Sequence, residues 1–199
     1  MIAPVPNPPR LILASGSRYR RELLGRLGLP FEVHSPGIDE SELAGEPPAE
    51  RALRLALAKA LALAAAHPDA VLIGSDQVGV CGGELLHKPG NAARCAAQLR
   101  ALSGNKALFY TAVAVVGPAA AAPLQFLDTT TVEFRTLSEA EILRYVAAEQ
   151  PFDCAGGFRC EGLGIGLFKR LQSEDPTGLI GLPLIGLAAA LRSRGYTLP

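Results

Sequence analysis

Within seven residues, Ser15-Gly16-Ser17-Arg18-Tyr19-Arg20-Arg21 gathers two hydroxyls, three guanidiniums and a phenol. The cluster separates an apolar run, Leu11-Ile12-Leu13-Ala14, from the start of a helical pattern. Backbone N–H groups at a helix start attract anions, and arginine grips phosphate oxygens through a two-pronged fork. Cations in a first helical turn oppose the helix dipole, so three arginines there call for an anionic partner. Phosphate binding is the chemistry this implies; a capped helix with a solvated basic first turn is the competing reading. The chain has no GxxxxGK[ST] loop, so any phosphate site is of another kind.

Five further places carry suitable groups. Ser75-Asp76-Gln77 follows the apolar run Val71-Leu72-Ile73-Gly74, and a carboxylate at the end of a buried strand can hold a cation or activate water. An ordinary turn aspartate would look the same. Lys59 is the only charge between Leu55 and Ala66; it either snorkels to water or meets an anion. Lys88 precedes Pro89, which stiffens its turn, although an exposed loop lysine reads equally well. Asp39-Glu40 forms either an acidic surface loop or part of a Mg²⁺ site completed by water. Glu161 lies in the glycine-rich stretch Gly156 to Gly166, where a backbone can approach a ligand closely. His34, His67 and His87 are scattered and pair with no nucleophile, which argues against a triad hydrolase.

Strand and helix patterns alternate around these groups. The residues predict strands at 11–14, 31–34 and 71–74, then a hairpin over 78–86 turning at Gly82-Gly83. Helices are expected at 19–27, 49–66 and 91–102, at 138–149 from a capping box, and from Pro183 to before Gly195. Long β-rich stretches at 106–116 and 124–135 flank a Pro118–Pro123 turn. The pattern is α/β, or α+β, with a mixed sheet and long antiparallel strands in its middle.

Composition narrows the class. Of 199 residues, 49% are apolar and 19% charged, which fits a folded globular chain. Nineteen basic residues balance nineteen acidic ones, so no net field draws the chain to a nucleic acid polymer or a membrane surface. Four cysteines without metal or CxxC spacing read as reduced core thiols. The tail segment Leu179 to Leu191 is too short to span a bilayer. A single domain over 1–199 is expected, with residues 1–9 as a flexible extension and the cytoplasm as its location.

Taken in order, these pieces resemble the Maf family of nucleotide pyrophosphatases. The resemblance rests on Leu-Ile-Leu-Ala-Ser-Gly-Ser-Arg-Tyr-Arg-Arg at 11–21, Ile38-Asp39-Glu40, Lys59-Ala60 and Ile73-Gly74-Ser75-Asp76-Gln77-Val78. It continues through Lys88-Pro89, Leu137-Ser138-Glu139-Ala140-Glu141, Ala155-Gly156-Gly157-Phe158, Glu161-Gly162 and Gly181-Leu182-Pro183-Leu184. It implies a Maf-like, inosine-triphosphatase-like fold: a mixed elongated β-sheet flanked by helices, with two lobes around a cleft, often paired as a homodimer. The implied reaction is attack of water on the α-phosphorus of a nucleoside triphosphate, releasing pyrophosphate with Mg²⁺ or Mn²⁺ as cofactor.

The same resemblance puts Asp76 on the family's proton acceptor. Ser15, Ser17, Arg20, Arg21, Glu40, Lys59 and Lys88 fall on its phosphate- and metal-handling positions, with Glu40 and Asp76 toward the metal. Asp76-Gln77 looks like the subgroup that cuts 7-methyl-GTP. Tyr19, Gln77 and Glu161 then stand where base choice is made. Pyrophosphatases for UTP, dTTP or other modified nucleotides remain alternatives, as does a nucleotide-binding regulator of cell division without turnover. Two residues depart from the pattern: Arg18 replaces a proline, and His87 replaces the glycine before Lys88-Pro89.

Overall fold

The apolar run Leu11–Ala14 is a strand, β1, with all four residues buried. In the computed structural model, which describes residues 8–118 and 122–199, β1 lies between two parallel neighbours, β2 (Glu32–His34) and β3 (Val71–Cys81). Helix α1 (Arg18–Gly25) connects β1 to β2, and helix α2 (Pro48–Leu61) precedes β3. Strand β3 turns at Gly82-Gly83 into β4 (Glu84–Leu86), the expected hairpin. Both turn glycines have positive φ, which a tight two-residue hairpin requires.

Helix α3 (Ala92–Leu102) follows, with Asn91 accepting a hydrogen bond from the Arg94 backbone N–H as its cap. Strands β5 (Lys106–Val116) and β6 (Leu124–Phe134) are long and antiparallel, as expected. Helix α4 (Glu139–Glu149) opens on the expected capping box of Ser138 and Glu141. Short 3₁₀ turns at Ala155–Gly157 and Leu163–Leu167 lead to β7 (Phe168–Gln172), and α5 (Leu184–Ser193) begins after Pro183. The seven-stranded sheet runs β2-β1-β3-β5-β6-β7, with β4 paired to β3. Residues 119–121 of the expected Pro118–Pro123 turn and 1–7 of the expected 1–9 extension lie outside the described residues.

Two expectations change, and one strand comes unannounced. The strand expected at 71–74 does not end at Gly74; it runs on to Cys81, so Asp76 sits inside a strand, opposite Ala112 of β5. What ends there is the neighbour: β1 pairs with β3 only as far as Ala14–Gly74. The helix expected over 49–66 stops at Leu61 and tapers through turns, since the chain must reverse before β3. Strand β7 carries no alternating pattern, being largely exposed at the sheet's edge.

Period-two alternation sorts the core. Leu11, Leu13, Ile73, Val113 and Val115 face α1 and α5, packing with Leu23, Leu187 and Leu191. Ile12, Leu72, Ala112 and Ala114 face the other side, against Ala52, Ala56 and Ala60 of α2. Small residues on both surfaces let α2 approach β3 closely. At Gly74 an added Cβ would lie 2.0 Å from the Ala56 carbonyl oxygen, so only glycine fits. A third cluster, around Phe109, Phe134 and Phe158 in edge-to-face contact, packs α3 and α4 onto the far end of the sheet. Each fully buried large side chain is worth about 1.5–3 kcal/mol of transfer free energy.

Candidate functional site

Where β1 stops, β3 continues without a parallel partner, and the gap opens into a cleft of about 890 Å³. That is ample for a nucleotide. Six cationic and four anionic side chains line it, so its lining favours an anion although the whole chain is neutral.

The floor is built by β3 and α2. Arg51, Leu55 and Lys59 line the cleft at one-turn intervals along α2. Lys59 is buried, and its Nζ lies 2.6 Å from Asp76 Oδ1 and 2.9 Å from Glu40 Oε1. It meets carboxylates rather than snorkelling to water. Glu40 comes from the loop after β2. Its neighbour Asp39 turns away: Asp39 Oδ1 accepts from the Ser41 backbone N–H and hydroxyl, which holds its carboxyl below the usual range. Only one acid of that pair faces the cleft.

The turn from β1 into α1 supplies the next wall. Ser15 Oγ accepts from the Ser17 N–H, and Ser17 Oγ accepts from the Arg20 N–H as the helix cap. Each hydroxyl keeps its own proton to donate. Arg20 sits deep in the cleft, where burial pulls its pKa down and the charges of Asp76 and Glu40 pull it back. Its Nε donates to the Gly181 carbonyl at 2.9 Å. Arg21 points elsewhere; it is exposed and does not line the cleft. Helical spacing explains this, since adjacent residues diverge by about 100°. Lys88 and His87 stand exposed at the rim.

The segment before α5 is tied to the floor. Ser75 Oγ donates to the same Gly181 carbonyl as Arg20, at 3.0 Å. The Gln77 amide nitrogen lies 2.9 Å from Thr111 Oγ1, 3.1 Å from the Gly178 carbonyl and 3.0 Å from the Leu179 carbonyl. An amide oxygen in that place would face two carbonyls, so the nitrogen must. Gln77 lines the cleft while fastening this loop, a task its sequence position did not suggest.

The mouth is aromatic and charged. The Tyr19 hydroxyl accepts from Arg18 at 2.7 Å and donates to Asp153 Oδ1 at 3.1 Å. Burial pushes the phenol's pKa well above its ordinary value, so it keeps its proton. The guanidiniums of Arg18 and Arg159 lie 4.8 and 5.4 Å from the ring centroid. Glu161 lines the same region and pairs with Arg159 Nε at 3.2 Å.

Of the residues singled out from sequence, Ser15, Ser17, Tyr19, Arg20, Glu40, Lys59, Asp76, Gln77, Lys88 and Glu161 thus share one cleft. Arg51, Asp153 and Arg159 join them unannounced. Arg51 had a readable signal, standing two turns before Lys59 on the same helix face; the other two are brought in by long-range folding.

Residues 10–194 match the family model described as Maf-like protein. A protein from Xanthomonas oryzae pv. oryzae named 7-methyl-GTP pyrophosphatase is 53% identical over 191 residues, covering 96% of this chain and 100% of its own length. A protein of the same name from Nitrosococcus oceani is 48% identical over 196 residues, covering 98% of each chain. The structure of the Staphylococcus aureus Ham1 protein aligns with a TM-score of 0.52 at 15% identity, covering 92% of this chain and 98% of that one. That likeness bears out the mixed α/β fold.

Proposed function

This chain belongs to the Maf-like protein family, and from that footing we propose that it hydrolyses 7-methyl-GTP to 7-methyl-GMP and pyrophosphate. The observation that carries the reading is the buried Lys59 bridging Asp76 and Glu40 at the floor of a cationic cleft. Full-length relatives at 48–53% identity bearing that activity's name supply the substrate.

In this reading the triphosphate lies along the floor. Arg20 and Lys59 take up its charge, with Lys88 at the rim and the Ser15 and Ser17 hydroxyls donating to phosphate oxygens. Asp76 accepts the proton of the water that attacks the α-phosphorus. Its carboxylate is fixed by Lys59, and Arg20 and Lys59 stabilise the charge building on the departing pyrophosphate. Arg21, exposed on α1, has no place in this arrangement.

A divalent cation, Mg²⁺ or Mn²⁺, suits the donors present. Glu40 and Asp76 already converge on one positive charge, and hard carboxylate oxygens are what such ions prefer. Among the described residues no three acids, histidines or cysteines cluster to cage a metal alone. Glu40 and Asp76 would therefore hold an ion completed by the nucleotide's phosphates and water. Bound there, it would neutralise phosphate charge.

At the mouth, Tyr19 and Glu161 suit a methylated guanine, whose ring carries positive charge: an aromatic face attracts a cation, and a carboxylate accepts from the guanine edge. Gln77 acts on base choice through the loop it fastens. One domain over 1–199, with 1–9 as an extension and two lobes meeting at the cleft, belongs to this reading. A cytoplasmic location belongs to this reading; no described helix is long and apolar enough to cross a membrane.

The test is pyrophosphate release from 7-methyl-GTP, GTP, UTP, dTTP and CTP with Mg²⁺ or Mn²⁺, for the wild type and Asp76→Asn. Preferential release from 7-methyl-GTP, lost in Asp76→Asn, is expected. Preference for UTP or dTTP would discard the base assignment, and nucleotide binding without any release would discard the enzyme.

A further inference from the structure

Arg18, at the start of α1, has a specific occupation at the mouth of the cleft. Arg18 Nη2 donates to the Tyr19 hydroxyl and lies 3.3 Å from Asp153 Oδ2, while its guanidinium covers the Tyr19 ring. Asp153 receives the Tyr19 hydroxyl on its other oxygen. Together these contacts join the first turn of α1 to the segment after α4 across the mouth of the cleft.

The cationic contacts on Tyr19 are unequal. Arg159 is held by two acids, Glu149 at 3.1 Å and Glu161 at 3.2 Å, and its side chain is 30% exposed. Among the described residues Arg18 pairs with Asp153 alone, and the two side chains are 63% and 52% exposed. An ion pair so open to water contributes little and exchanges readily. Among the groups that line the mouth, Arg18 and Arg159 balance Asp153 and Glu161. With Arg18 moved aside one negative charge is left over, and a base carrying one positive charge would balance it.

We infer that Asp153 is a specificity-determining carboxylate for a cationic purine base, and that Arg18 is a built-in competitor which such a base displaces from Asp153 and from the Tyr19 ring. The inference rests on the 7-methyl-GTP reading and deepens it. A neutral base gains less from the exchange, because it surrenders the Arg18 contacts without returning a positive charge to Asp153. Arg18 therefore lowers affinity for every base but penalises a cationic one further by direct repulsion. Asp153 repays only the cationic one.

The two residues consequently push selectivity in opposite directions. In Asp153→Asn the ratio of kcat/KM for 7-methyl-GTP over GTP should fall about three- to fivefold, the range of an exposed charge contact. The change should appear in KM rather than kcat, because the contact is to the base and not to the reacting phosphorus. In Arg18→Gln the same ratio should rise by a similar factor. Both effects should shrink as salt is raised from 0.05 to 0.5 M, about where screening shortens the reach of exposed charges. Direct binding of 7-methyl-GMP and GMP should give the same pattern without turnover.

If the wild type shows no preference for 7-methyl-GTP over GTP, the parent reading fails. If it shows the preference but both variants leave the ratio unchanged, the parent reading stands and this inference is overturned. A ratio that falls in both variants would also overturn it, because a merely structural clasp would weaken the site whichever side were cut. Both side chains are more than half exposed, so neither substitution threatens folding.

Discussion

Replacing Lys59 by methionine, nearly its equal in length, removes the one charge that binds the two acids of the floor. Asp76 loses a partner at 2.6 Å while its side chain remains only 10% exposed. Removing one member of a buried ion pair costs about 3–5 kcal/mol, because the other charge stays desolvated. Two features place this case at the lower end. Glu40 is 54% exposed, so water replaces most of what it loses, and the Arg20 guanidinium still shares its field with Asp76. A loss of about 3 kcal/mol follows, or a fall in Tm of roughly 6–12 °C for a chain of this size.

The cycle with Asp76→Asn separates this cause from lost packing. If the penalty comes from a stranded carboxylate, Lys59→Met/Asp76→Asn should be more stable than the single effects add up to, by about 2 kcal/mol. Urea unfolding of the four proteins, followed by circular dichroism, measures both terms. Lys59→Met should also gain more Tm than the wild type on adding Mn²⁺, since its two acids no longer share an ammonium. Turnover should drop roughly 100-fold or more, the usual cost of one preorganised charge contact. A stability loss under about 1 kcal/mol, additive with Asp76→Asn, would refute the reasoning.

Gly74→Ala should cost about 3 kcal/mol in urea unfolding, because the new Cβ meets the α2 backbone at Ala56 and Ala60 and neither can yield without moving Lys59. Glu141→Gln should flatten the acid limb of stability. The capping contacts with Ser138, helped by Arg135, hold the Glu141 carboxyl at about 2 in the folded protein, so its contribution is full above pH 4.5 and fades as pH falls toward 2. Denaturant midpoints measured across that window should converge in the variant. Burial pushes the thiols of Cys154 and Cys160 up to about 11 and about 12, so iodoacetamide at pH 7 should label them slowly when native and quickly in urea.

Local rules made much of this molecule readable. The buried run 11–14, the Ser138–Glu141 box, the Asn91 cap and the Gly82-Gly83 hairpin each depend on neighbours in sequence, and each stands where the residues placed it. Asp76 was located by type but not by setting. Nothing in Ser75-Asp76-Gln77 reveals that the strand continues through it, because the decisive fact is the end of β1, a separate strand. Lys59 showed its oddity as a lone charge in an apolar helix, whereas its partners lie 17 and 19 positions away. The loop fastened by Gln77 and the Tyr19–Asp153 contact, 134 positions apart, exist only once the chain has closed. Strand β7 was missed because an exposed edge strand needs no apolar face to announce it.

In the proposed reaction water attacks the α-phosphorus beside Asp76. Hydrolysis of 7-methyl-GTP in ¹⁸O-labelled water, with the products resolved by mass spectrometry, tests it directly. One labelled oxygen is expected in 7-methyl-GMP and none in pyrophosphate, with turnover abolished in Asp76→Asn. Label in the pyrophosphate would place the attack at the β-phosphorus and contradict the account, as would labelled product formed at the wild-type rate by the variant.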